Sequence, residues 1–198
     1  MRPVTVALTA LCLYGAVDGW LSREVSQAPG ILAPEAPRQA LIASAPSFAH
    51  DNHSLTPRAH FDLTARILAA ERYHLDKYAS LMPRDIAFGW GSLSDTAKLE
   101  TIRVSQSGRF AFWRSGERLP DEEVKVISSS FSNMHLIPAN DSVRNAILRA
   151  RVGQIVMLSG RLVDVKSPEG WSLPTSLTRD DTGPGACEVV FVETFVAR

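Results

Sequence analysis

The chain is poor in cysteine. It has two, Cys12 and Cys187, and Cys12 lies in an apolar N-terminal run. An internal disulfide is therefore not expected, and no paired-cysteine zinc site can be assembled. Net charge is lacking too: Lys plus Arg and Asp plus Glu both total 21 over the chain, and both total 17 from His60 onward. A neutral domain lacks the basic surface that displaces counterions from phosphates, which argues against a nucleic-acid partner. Also missing are a phosphate-cradling glycine loop, a Gly-x-Ser-x-Gly elbow and a zinc-helix pattern. His50, His53 and His60 fall close together in sequence but without a carboxylate cluster, so they are read as solvated, with no metal and no cofactor expected. "DDTGPG", starting at Asp180, has too few oxygen ligands for a calcium loop and reads as a turn.

What is present begins with an address. In "MRPVTVALTALCLYGAVDGW", Arg2 is followed by 15 uncharged, mainly apolar positions, Pro3 to Val17, ended by Asp18. That is a short charged region followed by an apolar one, as in a secretory signal. Trp20 and Leu21 can extend it into a membrane interface. Gly15-Ala16-Val17 is a poor cleavage site, and Leu11 sits where a lipobox needs a small residue. The reading is a signal anchor over residues 1–21 in an inner membrane, single-pass, with the rest of the chain periplasmic. Secretion after cleavage is the alternative. Residues 22–58 read as a tether, because "SQAPGILAPEAPRQALIASAPSFAHDNHSLTP" carries five prolines in 32 residues, and proline supplies no backbone donor and favours extended chain. Residues 59–198, about 140 in all, are the size of one domain, which can bury a sufficient core unaided.

The folded part alternates between two periods. "HFDLTARILAAERY" has Phe61, Leu63, Ala65 and Ile67 separated by polar residues, a strand pattern. Pro83 in "MPRDIAFGWG" predicts a short helix start, and Ser94 or Asp95 a cap for a second. "IRVSQSGRFAFWR" reads as a hairpin turning at Ser107-Gly108. "DEEVKVISSSF" reads as a strand entering a polar loop that holds "SNMHLIPAN". "PANDSVRNAILRARVGQ" is the best helix, capped by Asp141 or Ser142 and stopped near Gly153. "GQIVMLSGRLVDV" predicts a long strand bent at Gly160, and "GWSLPTSL" and "ACEVVFVETFV" two more. The sum is an α+β domain with a small, strongly curved antiparallel sheet, or an OB-like or SH3-like barrel, one main helix and one or two short ones.

The runs "FGWGSLSD", "VSQSGRFAFW", "SNMHLIPAN" and "RDDTGPGACEVVFVE" resemble those of a family of short, N-terminally membrane-anchored bacterial proteins. The resemblance covers most of residues 60 to 195. It implies a bacterial source and a single domain, and it carries no reaction and no ligand.

Candidate chemistry centres on Cys187. A thiol nucleophile needs a base, and the base needs an orienting group. His135 is the candidate base, oriented by Asp180, Asp181, Asn133 or Asn140. The alternative is a hydrolase or transferase using Cys187, His135 and Asp181. Against it stands the ordinary fate of a free cysteine, which packs as a small apolar residue. Trp90, Trp113 and Trp171, with Asn133 and Asn140, are candidate ligand-binding residues for a shared groove. Arg144, Arg149 and Arg151 on the main helix read as a solvated face. The primary expectation is a membrane-tethered envelope module that binds a protein or envelope ligand without chemistry of its own. The competing readings differ in one observable, whether Cys187 and His135 meet.

Overall fold

Two short strands, β1 (Arg38–Leu41) and β2 (Phe48–His50), lead into β3 (His53–Arg72), the longest element. Its middle alternates buried and exposed residues as the sequence predicts. The computed structural model describes residues 23–178, 183 and 185–198. The apolar N-terminal segment, Asp180 and Asp181 lie outside the described residues.

After β3 comes β4 (Arg84–Gly89), buried at every position. This corrects the helix start expected at Pro83. Ile86 and Phe88 enter one core cluster while Asp85 turns to the opposite face, so the period is two. A 3-10 turn (Gly91–Ser94) and a one-turn helix, α1 (Thr96–Leu99), follow, and the Asp95 side chain caps the latter by accepting from Ala97 N at 2.9 Å. The hairpin is β5 (Ile102–Ser107) and β6 (Phe110–Ser115). It turns through Gly108 (φ 58) and Arg109 (φ 69), the two left-handed residues that a tight hairpin matching strand twist requires.

The run "DEEVKVISS" forms a helix, α2 (Asp121–Ser129), rather than a strand. Asp121, Glu122 and Glu123 fill its first turn, where the helix dipole favours negative charge. Val124 and Val126, whose spacing suggests a strand, are exposed, and Ile127 is the buried anchor. The expected polar loop around His135 is instead β7 (Phe131–Pro138), buried at all but its first residue. Both faces of β7 are covered, so its polar Asn133 and His135 signal a packed polar face, not solvent. The main helix is α3 (Asp141–Arg149), and its cap is Asn140, whose Oδ1 accepts from Val143 N at 3.0 Å. The last strands are β8 (Ile155–Lys166), β9 (Ser172–Leu173) and β10 (Glu188–Ala197).

The protein is mixed α+β, mostly sheet with few short helices. The large sheet runs β1-β3-β4-β7-β10-β8-β9, and β3 also pairs with β8, so the sheet curls back on itself. All of these pairs are antiparallel except β7 with β10. A Cβ at Gly160 would lie 2.1 Å from the Phe191 carbonyl oxygen, so only glycine lets β8 approach β10 there. Within the curl lie Phe61, Phe88, Met134, Leu136, Leu158, Leu162 and Val190, closed at one end by Val143 and Ile147 of α3. Residues of opposite parity form a second cluster, including Leu81, Met82, Ile137, Val189 and Phe191. The β5–β6 hairpin packs over a third, around Leu68, Leu93, Ile102 and Ile127.

The proline-rich stretch is not a free spacer from residue 23 on. Val25 N donates to Val152 O at 2.8 Å, and Gln27 Nε2 to Gly153 O at 3.1 Å. Ser94 Oγ accepts from both Leu32 N and Ala33 N at 3.0 Å, and Ala33 is buried. β1 then pairs with β3, and the boundary expected at residue 58 falls inside β3. Extended chain with few donors lies well along a surface whose own donors and acceptors reach out to it. No helix among the described residues is long and apolar enough to cross a membrane.

Candidate functional site

The site is built by strand register. On β4 and β7, Asp85 stands opposite His135; on β7 and β10, His135 stands opposite Val189. Cys187 immediately precedes β10, two residues from Val189, so its side chain shares the face that carries His135 and Asp85. Three neighbouring strands thus bring a carboxylate, an imidazole and a thiol into one row.

His135 Nδ1 lies 2.9 Å from Asp85 Oδ2, and both groups are buried. The pair is close but off-line: neither of these two atoms has a well-directed hydrogen bond. Such geometry is common in unliganded catalytic sites and tightens when substrate fills them. The Cys187 thiol is the second group close enough to act on the ring's charge. With Nδ1 turned to Asp85, Nε2 is the nitrogen left for sulfur. Burial alone would lower the His135 pKa, but Asp85 and Cys187, through hydrogen bonds and charge, outweigh it and hold it up at about 9. His135 is therefore an imidazolium at neutral pH. An imidazolium beside a sulfur is the setting in which a cysteine acts as a nucleophile. Burial pushes the Asp85 carboxyl upward, while His135 and Arg109 pull the other way.

Arg109 fixes the carboxylate from the far side. From the hairpin tip its Nη1 donates to Asp85 Oδ1 at 3.0 Å, while Nε and Nη2 fork onto Asp76 at 2.8 and 2.9 Å. Nη2 also donates to Met82 O at 3.1 Å. The guanidinium lies 4.0 Å from the Tyr73 ring centroid, and the Tyr73 hydroxyl accepts from Arg109 N at 3.0 Å. A planar fork, a stacked ring and a backbone bond together leave this side chain one position, which lysine cannot reproduce.

Asn133 ties hairpin to thiol. Its Oδ1 accepts from Gln106 Nε2 at 2.7 Å, and its Nδ2 donates to Arg109 O at 2.9 Å and toward Cys187 Sγ at 3.6 Å. Beside Cys187 a pocket of about 350 Å³ opens. One wall is Phe110, Phe112, Trp113 and Phe131; the other is Ser132, Asn133, Cys187 and Glu188. Glu188 is buried, and the Ser132 hydroxyl donates to it.

Of the sequence-predicted residues, Cys187, His135 and Asn133 come together, and Trp113 lines the adjoining pocket. Asp181 lies outside the described residues, and Asp85 takes the orienting position. Asn140 caps α3. Trp90 is in the core within the curl, and Trp171 packs against the Tyr78 ring at 4.8 Å on the second cluster, so the tryptophans do not share a groove. Sequence reasoning missed Asp85, Arg109, Asp76 and Gln106. One signal was available for the first: in "RDIAFGW" a carboxylate enters a run whose other residues are apolar. His50 and His53 pair across β2 and β3, and no group of three metal-ligating side chains converges among the described residues.

Comparison of the chain with protein-family models, curated proteins and solved structures found no match.

Proposed function

We propose that the domain is a thiol-dependent acyl hydrolase or transferase, with Cys187 as nucleophile, His135 as proton carrier and Asp85 as the group that orients His135. The carrying observation is the Asp85–His135–Cys187 row, whose thiol lines a pocket. This reverses the primary expectation from the sequence, which gave the domain no chemistry. It takes up the alternative, with Asp85 in place of Asp181.

The geometry supports a two-stage reaction. Sγ of Cys187, its proton carried on His135, attacks as thiolate the carbonyl carbon of an ester, thioester or amide, forming a carbon–sulfur bond and an oxyanion. One Asn133 Nδ2 hydrogen is held by Arg109 O; the other, aimed at Sγ, is free to pass to that oxyanion. The intermediate collapses, the bond to the leaving group breaks, and the leaving group takes a proton from His135. Water, or an alcohol or amine acceptor, then gives its proton to His135 and attacks the thioester. The acyl product departs and the sulfur is released. Asp85, held by Arg109, keeps Nδ1 protonated and Nε2 facing the chemistry throughout.

The test is alkylation of native protein by iodoacetamide. Cys187 should label rapidly below pH 8 and slow by tenfold or more in His135→Ala. Labelling that is slow in the native state, or indifferent to His135, would sink the reading.

We infer in addition that the curled sheet is an OB-like barrel. Supporting this is the ring β3-β4-β7-β10-β8, with its single parallel pair and a helix between β7 and β8. OB domains bind ligands on the face of their second and third strands, here β4 and β7, which carry Asp85 and His135. By that analogy of fold the same face also suits a plain binding module, and the alkylation result separates the two. The N-terminal apolar segment we read as a signal anchor that holds the domain on the periplasmic side of an inner membrane, where an envelope protein or other envelope component is the partner class.

A further inference from the structure

The pocket beside Cys187 differs from the rest of the site in its chemistry. Its aromatic wall comes from two elements, β6 with Phe110, Phe112 and Trp113, and the start of β7 with Phe131. Phe110 and Phe112 are 41% and 54% exposed although both belong to a hairpin with a packed face. Large apolar side chains left half in solvent around a concavity mark a surface awaiting an apolar occupant. Among the described lining residues there is no Lys, Arg or His. Glu188 is buried and accepts from the Ser132 hydroxyl. A phosphate or carboxylate seated against the aromatic side chains would lose its water at a cost. The volume, about 350 Å³, lies at the small end of the range for small-molecule sites, too small for a polymer segment to bury itself.

We propose that this pocket seats the acyl portion of the substrate, and that this portion is a neutral, apolar chain or ring of medium length. The inference rests on the thiol-acyl reading above and names its substrate class. The carbonyl carbon must lie within reach of Cys187 Sγ, which lines the pocket. The group bonded to that carbon extends along Phe131 and Trp113, and the leaving group points out to solvent. The same acyl group remains on sulfur as a thioester between the two stages, shielded by the aromatic wall.

The experiment uses the full-length protein in detergent and a series of 4-nitrophenyl esters from acetyl to dodecanoyl, with a hemisuccinyl ester as the anionic member. Each methylene buried should raise kcat/KM about fourfold, the equivalent of about 0.8 kcal/mol, until the pocket is full. The hemisuccinyl ester should be poorer than the butanoyl ester. Phe131→Ala and the more exposed Phe112→Ser should both flatten the chain-length dependence. In parallel, neutral alkyl amides compete with iodoacetamide for Cys187, a readout that needs no turnover. Chain-length-dependent protection without any esterase activity would uphold the pocket assignment and refute the acyl-transfer reading. Cys187-dependent turnover that is indifferent to chain length, or that favours acetyl or hemisuccinyl, would uphold the chemistry and overturn the pocket assignment. Absence of both turnover and protection would overturn both.

Discussion

His135 makes the stability of the fold depend on pH in a direction that can be worked out in advance. In the unfolded chain its pKa returns to the ordinary value near 6.5, and in the folded protein Asp85 and Cys187 hold it at about 9. Below about pH 6.5 both states carry the proton, and the imidazolium contributes its full stabilisation. Between the two values only the folded state binds the proton, so stability falls as pH rises, and above about 9 the contribution is gone. The gap between about 6.5 and about 9 corresponds to about 3 kcal/mol. His135 is 7% exposed, so solvent screening takes little of this away. The perturbation is His135→Gln, which keeps a hydrogen-bonding side chain and removes the titration. Urea midpoints of both proteins, measured from pH 6 to pH 9.5, give a difference curve in which other groups largely cancel. Wild type should lose about 3 kcal/mol relative to the variant across that window. The His135 ring, followed by NMR, should titrate near 9 in wild type and markedly lower in Asp85→Asn. Parallel curves, or a ring that titrates at its ordinary value, would refute the charge-pair argument.

Two further outcomes are expected, one from the packing of the N-terminal stretch and one from the proposed signal anchor. A Cβ at Gly153 would lie 2.0 Å from the Val25 carbonyl oxygen, and the residue has φ +88; Gly153→Ala should therefore release the N-terminal stretch, seen as new protease cleavage between residues 23 and 33, with a loss of about 1–3 kcal/mol. A periplasm-dependent reporter enzyme fused to the C-terminus should be active, and activity from a cytoplasm-dependent reporter alone would reverse the topology.

The strands that could be read from sequence were those with an alternating stretch, a plain apolar run or a turn glycine. β3 and β8 alternate over most of their length, β10 opens on an unbroken run of Val and Phe, and the β5–β6 hairpin advertises its glycine. Two misreadings share a cause. β4 and β7 are buried on both faces, so their polar residues do not alternate against solvent but face other polar residues: Asp85 meets His135, and Asn133 meets Gln106. A buried polar pair looks like a loop or a helix end until its partner is known. The same holds for the site. Cys187 and His135 were nameable as residue types, but Asp85 is supplied by a strand 50 positions before His135. Only register reveals that juxtaposition. α2 was misread for the opposite reason, since exposed Val124 and Val126 imitate a half-buried strand.

The chain from residue 23 hugging the body has a consequence for reach. A free proline-rich linker of some 35 residues would let a domain sweep a radius of about 30 Å or more around its point of attachment. Here Val25 is already pinned to Val152, so that radius shrinks to the few residues before it. A signal anchor over residues 1–21, as proposed above, would therefore hold the body within a few residues of its point of attachment instead of at the end of a long tether.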